Sequence, residues 1–458
     1  TALGEENVRL EVKESWLGTA PNVYARGRLK MKQGMDGIQT HYFYEETDQY
    51  GALYKVTAET RIAGESVPGL SSRKVTYVSG QGNNMRYEQY VQLADGVWSM
   101  TDASSYEYDV ENRWVKRTRA NGRVYERMMT CCGPLWERDE NGVTTSYSYN
   151  TARQLTETIR SAIADGETMI TPETITSYTR DALGKITSLR RDTGPMTTVE
   201  SREYDLLGRL VKETDILGRT TVRSYSGDGL VETVTTPAGA TLITRKSPSG
   251  TVVRRYGTGQ QDILYTVEAT AEGIRTTEAV PGGEGGEPRV VTGSSTVNGF
   301  GDLVRIAAAN TLNGENVRTL AYDDKGRLIR EQLADMAPTL YAYDAFGNRT
   351  RAIVALEDEP TILNSRITDY AYVAESREDG IYRLVSITSY TSSGTPVLQK
   401  RAALLSALSS VLAGKTVMTD PRGQDTVEWT EYGGGSVRLQ KKTVPGVGSV
   451  ALTRVVDG

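Results

Sequence analysis

Tyr204-Asp205-Leu206-Leu207-Gly208-Arg209-Leu210 is one phrase of a repeat: aromatic, Asp, two variable residues, Gly, basic, apolar. It returns as Tyr322-Asp323-Asp324-Lys325-Gly326-Arg327-Leu328 and as Tyr343-Asp344-Ala345-Phe346-Gly347-Asn348-Arg349. Looser copies keep the punctuation at Asp181 to Ile186, Asp215 to Thr220, Asn298 to Leu303 and Asp420 to Gln424, and degenerate ones stand at Tyr108 to Trp114 and Tyr149 to Leu155. Tyr204 to Tyr225 is 21 residues, as is Tyr322 to Tyr343. That period fits one hairpin of two short strands and marks a repeat architecture.

The spelling has a physical reason. Tyr closes a strand, where its ring covers a neighbour across the sheet. The Asp carboxylate accepts the backbone N–H two residues on, making an Asx-turn. Gly takes the positive φ that returns the chain, and Asn112 is the next-best occupant of that position. The segments between phrases, such as Thr221 to Tyr225, Thr144 to Tyr149 and Val75 to Val78, are short, β-branched or aromatic, and bounded by turn formers. One segment reads otherwise. Leu404, Leu405, Leu408, Val411 and Leu412 fall at helical spacing before Gly414, which predicts a short helix near 398–415.

Composition narrows the chemistry. The 458 residues carry 46 Gly and 26 Tyr but only 3 Phe, one His (His41) and two Cys (Cys131 and Cys132). That excludes a multi-site zinc protein or a disulfide scaffold, and leaves His41 as the one imidazole for a Ser-His or Cys-His mechanism. With 53 basic and 58 acidic residues the net charge is −5, which argues against wholesale nucleic-acid binding. The most apolar stretch, within 402–413, is interrupted by serines and too short to cross a bilayer, so no membrane span is expected. The chain opens on Thr1 without a charged, then apolar leader, pointing to a processed product or a piece of something longer.

The Tyr-Asp-x-x-Gly-Arg-Leu phrase at this spacing resembles the YD repeat of RHS-repeat proteins. That group includes bacterial polymorphic toxins, shell subunits of insecticidal toxin complexes, and the teneurins of animals. The resemblance implies an all-β chain of tandem hairpins, wound as one spiralling sheet around a hollow interior. An open or partial shell is expected, since a family shell takes more chain to close. The expected division is a Tyr-rich β segment over 1–100 continuous with the shell, the repeat shell over 101–425, and a β segment over 426–458. The Gly-rich run Pro281 to Pro288 is read as a long hairpin loop.

The expected function is a non-enzymatic shell or scaffold, part of a secreted or cell-surface bacterial protein. It would enclose or present a polypeptide, or meet a complementary shell segment. The alternative is an adhesion module that recognises glycans or a cell-surface partner through Trp114, Trp136 and Trp429, with Trp16 and Trp98 as further candidates. The repeat-turn residues singled out are Tyr204, Asp205, Gly208, Arg209, Tyr322, Asp323, Gly326, Arg327, Tyr343, Asp344 and Gly347. No cofactor, metal or catalytic residue is expected. The adjacent Cys131 and Cys132 leave two readings open, unpaired thiols at a turn and a vicinal disulfide; a metal set with His41 would need a long-range coincidence. Gly414-Lys415-Thr416 lacks the first glycine of a phosphate loop. The basic run from Arg113 to Arg123 reads as a solvated strand face. The family's self-cleavage pattern, Pro-x4-Asp-Pro-x-Gly-apolar, is matched at its centre by Asp420-Pro421-Arg422-Gly423. Lys415 and Gln424 depart from it, so no catalytic aspartate is transferred.

Overall fold

The computed structural model describes residues 11–455, apart from 17–18, 35, 166–167, 282–289, 311–313, 335, 358–359, 409–411 and 433–436. Among the described residues the chain is all-β: 35 strands form one sheet, each antiparallel to the next along the chain. It begins with Val12–Ser15 on Leu29–Gln33 and ends with Val437–Val444 on Gly448–Val455. One small hairpin, Ile163–Asp165 with Thr168–Thr171, stands outside this ladder. The strands on either side of it, Leu155–Arg160 and Thr174–Arg180, pair with each other. The only regular helical element described is a single 3-10 turn at Gln49–Gly51.

The 21-residue period covers two strands, so each phrase returns to the same edge of the sheet. The turns after Tyr108, Tyr149, Tyr204, Tyr322 and Tyr343 all lie on that edge, by strand order. At these turns the partner register slips by one residue, as between Glu203 and Tyr204, between Ala321 and Tyr322 and between Ala342 and Tyr343. This is the signature of a bulge at the turn. The slip turns each strand end and adds twist in one hand, so a long ladder curls.

The curl brings the sheet back upon itself. The Ala94 N–H donates to the Ala374 carbonyl at 3.3 Å, although the two are 280 residues apart. A side chain at Gly69 would meet Val373 Cα at 3.7 Å, and one at Gly37 would meet Lys325 Nζ at 3.4 Å. Gly37, Gly69 and Ala94 sit on alternate connections, hence on one edge; Lys325 and the end of Arg366–Arg377 belong to the opposite edge. Edge meets opposite edge, which makes a spiral and not a closed barrel.

The wall has little dry interior. The chain exposes 27032 Å², whereas a compact protein of its mass, 50.2 kDa, would expose about 17,000 Å². In place of one continuous core there are small clusters, for instance Ala25, Tyr44, Tyr54 and Val78, and Tyr382, Ala402 and Val417.

The helix expected near 398–415 is absent. Pro396–Ala407 and Leu412–Thr419 are strands, with 409–411 outside the described residues. The run pairs with Gly380–Tyr390 from Gly380↔Ala407 to Tyr390↔Pro396. A bulge there leaves Leu405 without a partner, and it is 43% exposed. Alternate residues Ala402 and Leu404 pack on Tyr382. A run of Ala, Leu and Ser without Gly or Pro fits either period, and the ladder overrides its helix propensity. Gly414, read as closing that helix, lies within a strand. The Gly-rich run falls almost wholly outside the described residues, and the strands flanking it pair directly, Val280 opposite Val290.

Candidate functional site

The repeat turns are the unit from which the wall is built. Asp205 Oδ1 accepts the N–H groups of Leu207 at 3.0 Å and Arg209 at 2.8 Å, while Oδ2 accepts Arg209 Nε at 2.7 Å. Asp323 binds Lys325 N, Arg327 N and Arg327 Nε in the same way. At Asp344 the amide of Asn348 replaces the guanidinium, at 2.9 Å. Gly208, Gly326 and Gly347 have φ of +74°, +78° and +78°. The backbone N–H of Arg209 first, and then its guanidinium, hold the Asp205 carboxyl below the usual range. Asp323 is pushed up by burial, yet its bonds to Arg327 outweigh this and lower it.

Successive units interlock through two contacts that the phrase alone does not reveal. The hydroxyl of each phrase tyrosine donates to a carbonyl just past the preceding glycine: Tyr225 to Leu210, Tyr322 to Leu303, and Tyr343 to Leu328 at 2.7 Å. Conversely, the basic residue of one turn covers the ring of the next tyrosine. Lys185 lies over Tyr204, Arg209 over Tyr225 at 4.3 Å, and Arg327 over Tyr343 at 5.2 Å. The signal in the sequence is a basic residue 16 positions before the next Tyr at Arg209 and Arg327, and 19 before it at Lys185.

Where the coils meet, a cavity of about 1130 Å³ opens between Thr60, Arg119 and Asn121 of the early strands and Phe346, Arg383 and Leu404 of the late ones. Its acidic lining among the described residues is Asp102, whose carboxylate accepts the Tyr87 hydroxyl at 2.7 Å. Of its cations, Arg73 is paired with Glu59 and Arg119 with Glu140, Arg383 donates to Asn348 of the same lining, and Lys74 lies over the Tyr87 ring. Among the described residues no carboxylate pair of the kind glycoside hydrolysis requires faces this space.

A second cavity, of about 450 Å³, is lined by Glu59 and Glu88, both 5% exposed. Sequence reasoning did not single these out, because nothing distinguishes them from the other carboxylates. Glu59 is held by Arg61 at 3.1 Å and Arg73 at 2.8 Å, and Glu88 by Arg86 at 2.7 Å and Tyr90 at 2.8 Å. Buried charges so paired are structural in effect: each oxygen is committed, and breaking one partner would strand the other. Burial first, and then Glu88, push the Tyr77 phenol up to about 12.

All five tryptophans are half-buried. Arg127 lies 3.6 Å from the Trp114 ring centroid, Arg73 4.1 Å from Trp98 and Arg138 5.8 Å from Trp136, and Trp429 Nε1 donates to Glu431 at 2.9 Å. In the basic run, Arg113 pairs with Asp109, Lys116 with Glu107, and Arg117 with Glu140. Asp420 Oδ1 accepts Arg422 N and Gln424 N, the pattern of the turns at Asp205, Asp323 and Asp344. Lys415 Nζ reaches Asp379 at 2.6 Å. His41 Nε2 faces Gln39 Oε1 at 3.0 Å, and burial lowers its pKa. Among the described residues no three His, Cys, Asp or Glu side chains gather as a metal set, and no helix is long and apolar enough to cross a membrane.

Comparison with known proteins places the repeat. The RHS Repeat family model matches residues 204–241, beginning on Tyr204. No curated protein matches. Among solved structures the chain is similar to the crystal structure of TcdB2-TccC3, at 12% identity and a TM-score of 0.38, covering 91% of this chain and 28% of that one. It is similar to the same protein without its hypervariable C-terminal region, at 11% and 0.38, over 91% and 28%. The Photorhabdus luminescens Tc holotoxin pore matches at 11% and 0.26, over 91% and 27%. The chain thus spans less than a third of the length of these structures.

Proposed function

We propose that the chain is a non-enzymatic wall segment of an RHS-type shell, in a secreted or cell-surface protein, and that its concave side encloses or presents a polypeptide. The observation that carries this reading is the seam between Ala94 and Ala374. About 23 strands separate its two sides, and at ~4.8 Å per strand the coil has a circumference on the order of 110 Å and a diameter of roughly 35 Å. Side chains lining the wall leave a passage wide enough for an extended or partly folded chain. The repeat turns supply rigidity at the edge, and the residues of the Tyr204, Tyr322 and Tyr343 phrases serve that role.

Small-angle scattering on the purified chain tests the wall. A compact globule of this length has a radius of gyration of about 23 Å, and the shell reading requires a clearly larger value with a hollow centre in electron micrographs. A Gly/Ser segment bearing a protease site, fused after Gly458, tests enclosure. Slower cleavage than in the free peptide supports it, and cleavage at the free-peptide rate overturns it for this segment. The glycan alternative gains no support from Trp98, Trp114 and Trp136, whose rings each carry an arginine, and at Trp429 Glu431 already takes the indole N–H.

A further inference from the structure

Cys131 and Cys132 belong to neither the repeat phrase nor the seam. They lie in the turn joining Val124–Met129 to Pro134–Arg138. On a regular strand adjacent side chains point to opposite faces. Here the two sulfurs share one side, 2.9 Å apart.

The turn is built to hold them there. Gly133 accepts from Thr130 N at 2.7 Å and from Thr130 Oγ1 at 2.8 Å, and Thr130 Oγ1 in turn accepts Cys132 N at 3.2 Å. Arg113 Nη1 donates to the Thr130 carbonyl at 2.8 Å while its Nε holds Asp109. On the far side the Tyr149 hydroxyl donates to the Pro134 carbonyl at 3.0 Å. Gly133 has φ +151°, and a Cβ there would run into that hydroxyl. The turn is thus clamped from both sides with its thiols outward: Cys131 is exposed and Cys132 partly so.

We propose that Cys131 and Cys132 form a dithiol redox site that exchanges with low-molecular-weight disulfides of the glutathione class. Cys131, the more exposed of the two, is the sulfur that attacks, through its thiolate as in any thiol–disulfide exchange. Its sulfur bonds to one sulfur of the incoming disulfide and expels the other as a thiolate. Cys132 then gives its proton to solvent and attacks Cys131 Sγ, closing the ring and expelling the second thiolate. One external S–S bond breaks and one Cys131–Cys132 bond forms. The protein loses two electrons and two protons, and the small disulfide becomes two thiols. The Cys131 hydrogen bond, followed by burial, holds the Cys132 thiol above its ordinary value, which suits the resolving role. Adjacent cysteines close a strained ring, so a dithiol reductant should reopen it readily.

The test treats the full chain with oxidised glutathione and reads intact mass and alkylation. The expected product has lost two hydrogens, resists alkylation at both cysteines, and is restored by dithiothreitol. Cys131→Ser and Cys132→Ser should each stop at a glutathione adduct, with Cys132→Ser, which keeps Cys131, forming it faster. Phenylarsine oxide, which needs two thiols at once, should bind the reduced chain and neither variant. A chain that accumulates a stable glutathione adduct instead of the ring overturns the site. Faster adduct formation in Cys131→Ser overturns the assigned order of attack.

Discussion

The guanidinium of Arg209 lies 4.3 Å from the centre of the Tyr225 ring, one repeat further along the chain. The same arginine closes its own turn on Asp205 at 2.7 Å. Tyr225 answers through its hydroxyl, which donates to the Leu210 carbonyl at 3.1 Å. One hairpin is therefore tied to the next at both ends of a single tyrosine. A double-mutant cycle of Arg209→Ala and Tyr225→Leu, read by chemical denaturation, should show a coupling of about 0.5–1 kcal/mol, as for a partly exposed cation on an aromatic ring. Strict additivity would remove the interlock from the account of how the wall coheres.

Position 208 isolates the backbone requirement of the turn. Its φ of +74° matches that of Asn112, at 65°, in the degenerate copy of the phrase. Gly208→Val should destabilise by ~1–3 kcal/mol through left-handed strain, while Gly208→Asn should cost a fraction of that. The nearest atoms to a Cβ at this position belong to the end of Lys185, a flexible side chain that both variants displace alike, so the comparison between them isolates the backbone. Equal melting of the two variants would refute the turn assignment.

What the sequence made legible is local. The turn chemistry of Asp205, Gly208 and Arg209 could be written from seven residues, because an Asx-turn and a left-handed glycine are decided within one phrase. The tie from Tyr225 to Leu210 was not legible, since it depends on how far one hairpin twists on the next. Nor was the seam, whose partners Ala94 and Ala374 are small residues far apart in sequence with no spelling of their own. Leu404 and Leu405 misled in a telling way. Their spacing fits a helix, and only the neighbouring Gly380–Tyr390 strand makes Leu404 an inward partner of Tyr382 and Leu405 a bulge. Glu59 looks like a surface carboxylate until the ladder sets Arg73 opposite it, whereas Arg86, two residues before Glu88 on the same strand, falls on its face by alternation alone.

Stability should fall at both ends of the pH scale. The Arg209 backbone N–H lowers Asp205, the Arg219 guanidinium lowers Asp215, and the Gln424 backbone N–H lowers Asp420. A carboxyl lowered by folding contributes stability above its unfolded pKa, about 3.9, and that contribution is lost as pH falls through the folded value. Tyr77 and Tyr125, pushed up to about 12 chiefly by burial, work in the opposite sense. Their contribution is full below the unfolded value near ~10 and disappears as pH rises through the folded one. Melting temperature should therefore hold level in the neutral range, drop below about pH 4, and drop again above about pH 10. Asp205→Asn should flatten part of the acid limb and Tyr77→Phe part of the alkaline limb. An acid limb identical in Asp205→Asn and the parent chain would show that the turn carboxylate is not linked to folding.

The seam is where the coil meets itself, and it can be opened by a side chain without removing a ladder hydrogen bond. Ala374 is 2% exposed and faces the connections that carry Gly69 and Ala94. Ala374→Arg sets a second guanidinium directly opposite Arg383 of the neighbouring strand, at this buried position, so the cost is that of burying a like-charge pair. Each hairpin keeps its own neighbours, so the loss should remain local, as in other repeat arrays. The expected result is an unchanged strand signal in far-ultraviolet circular dichroism, a larger radius of gyration, and new protease cuts in the connections 62–71 and 93–97. Ala371→Arg, on the exposed side of the same strand, should behave as the parent chain. If both variants scatter like the parent, the coil is held by the stiffness of the ladder alone and the seam is a contact without consequence.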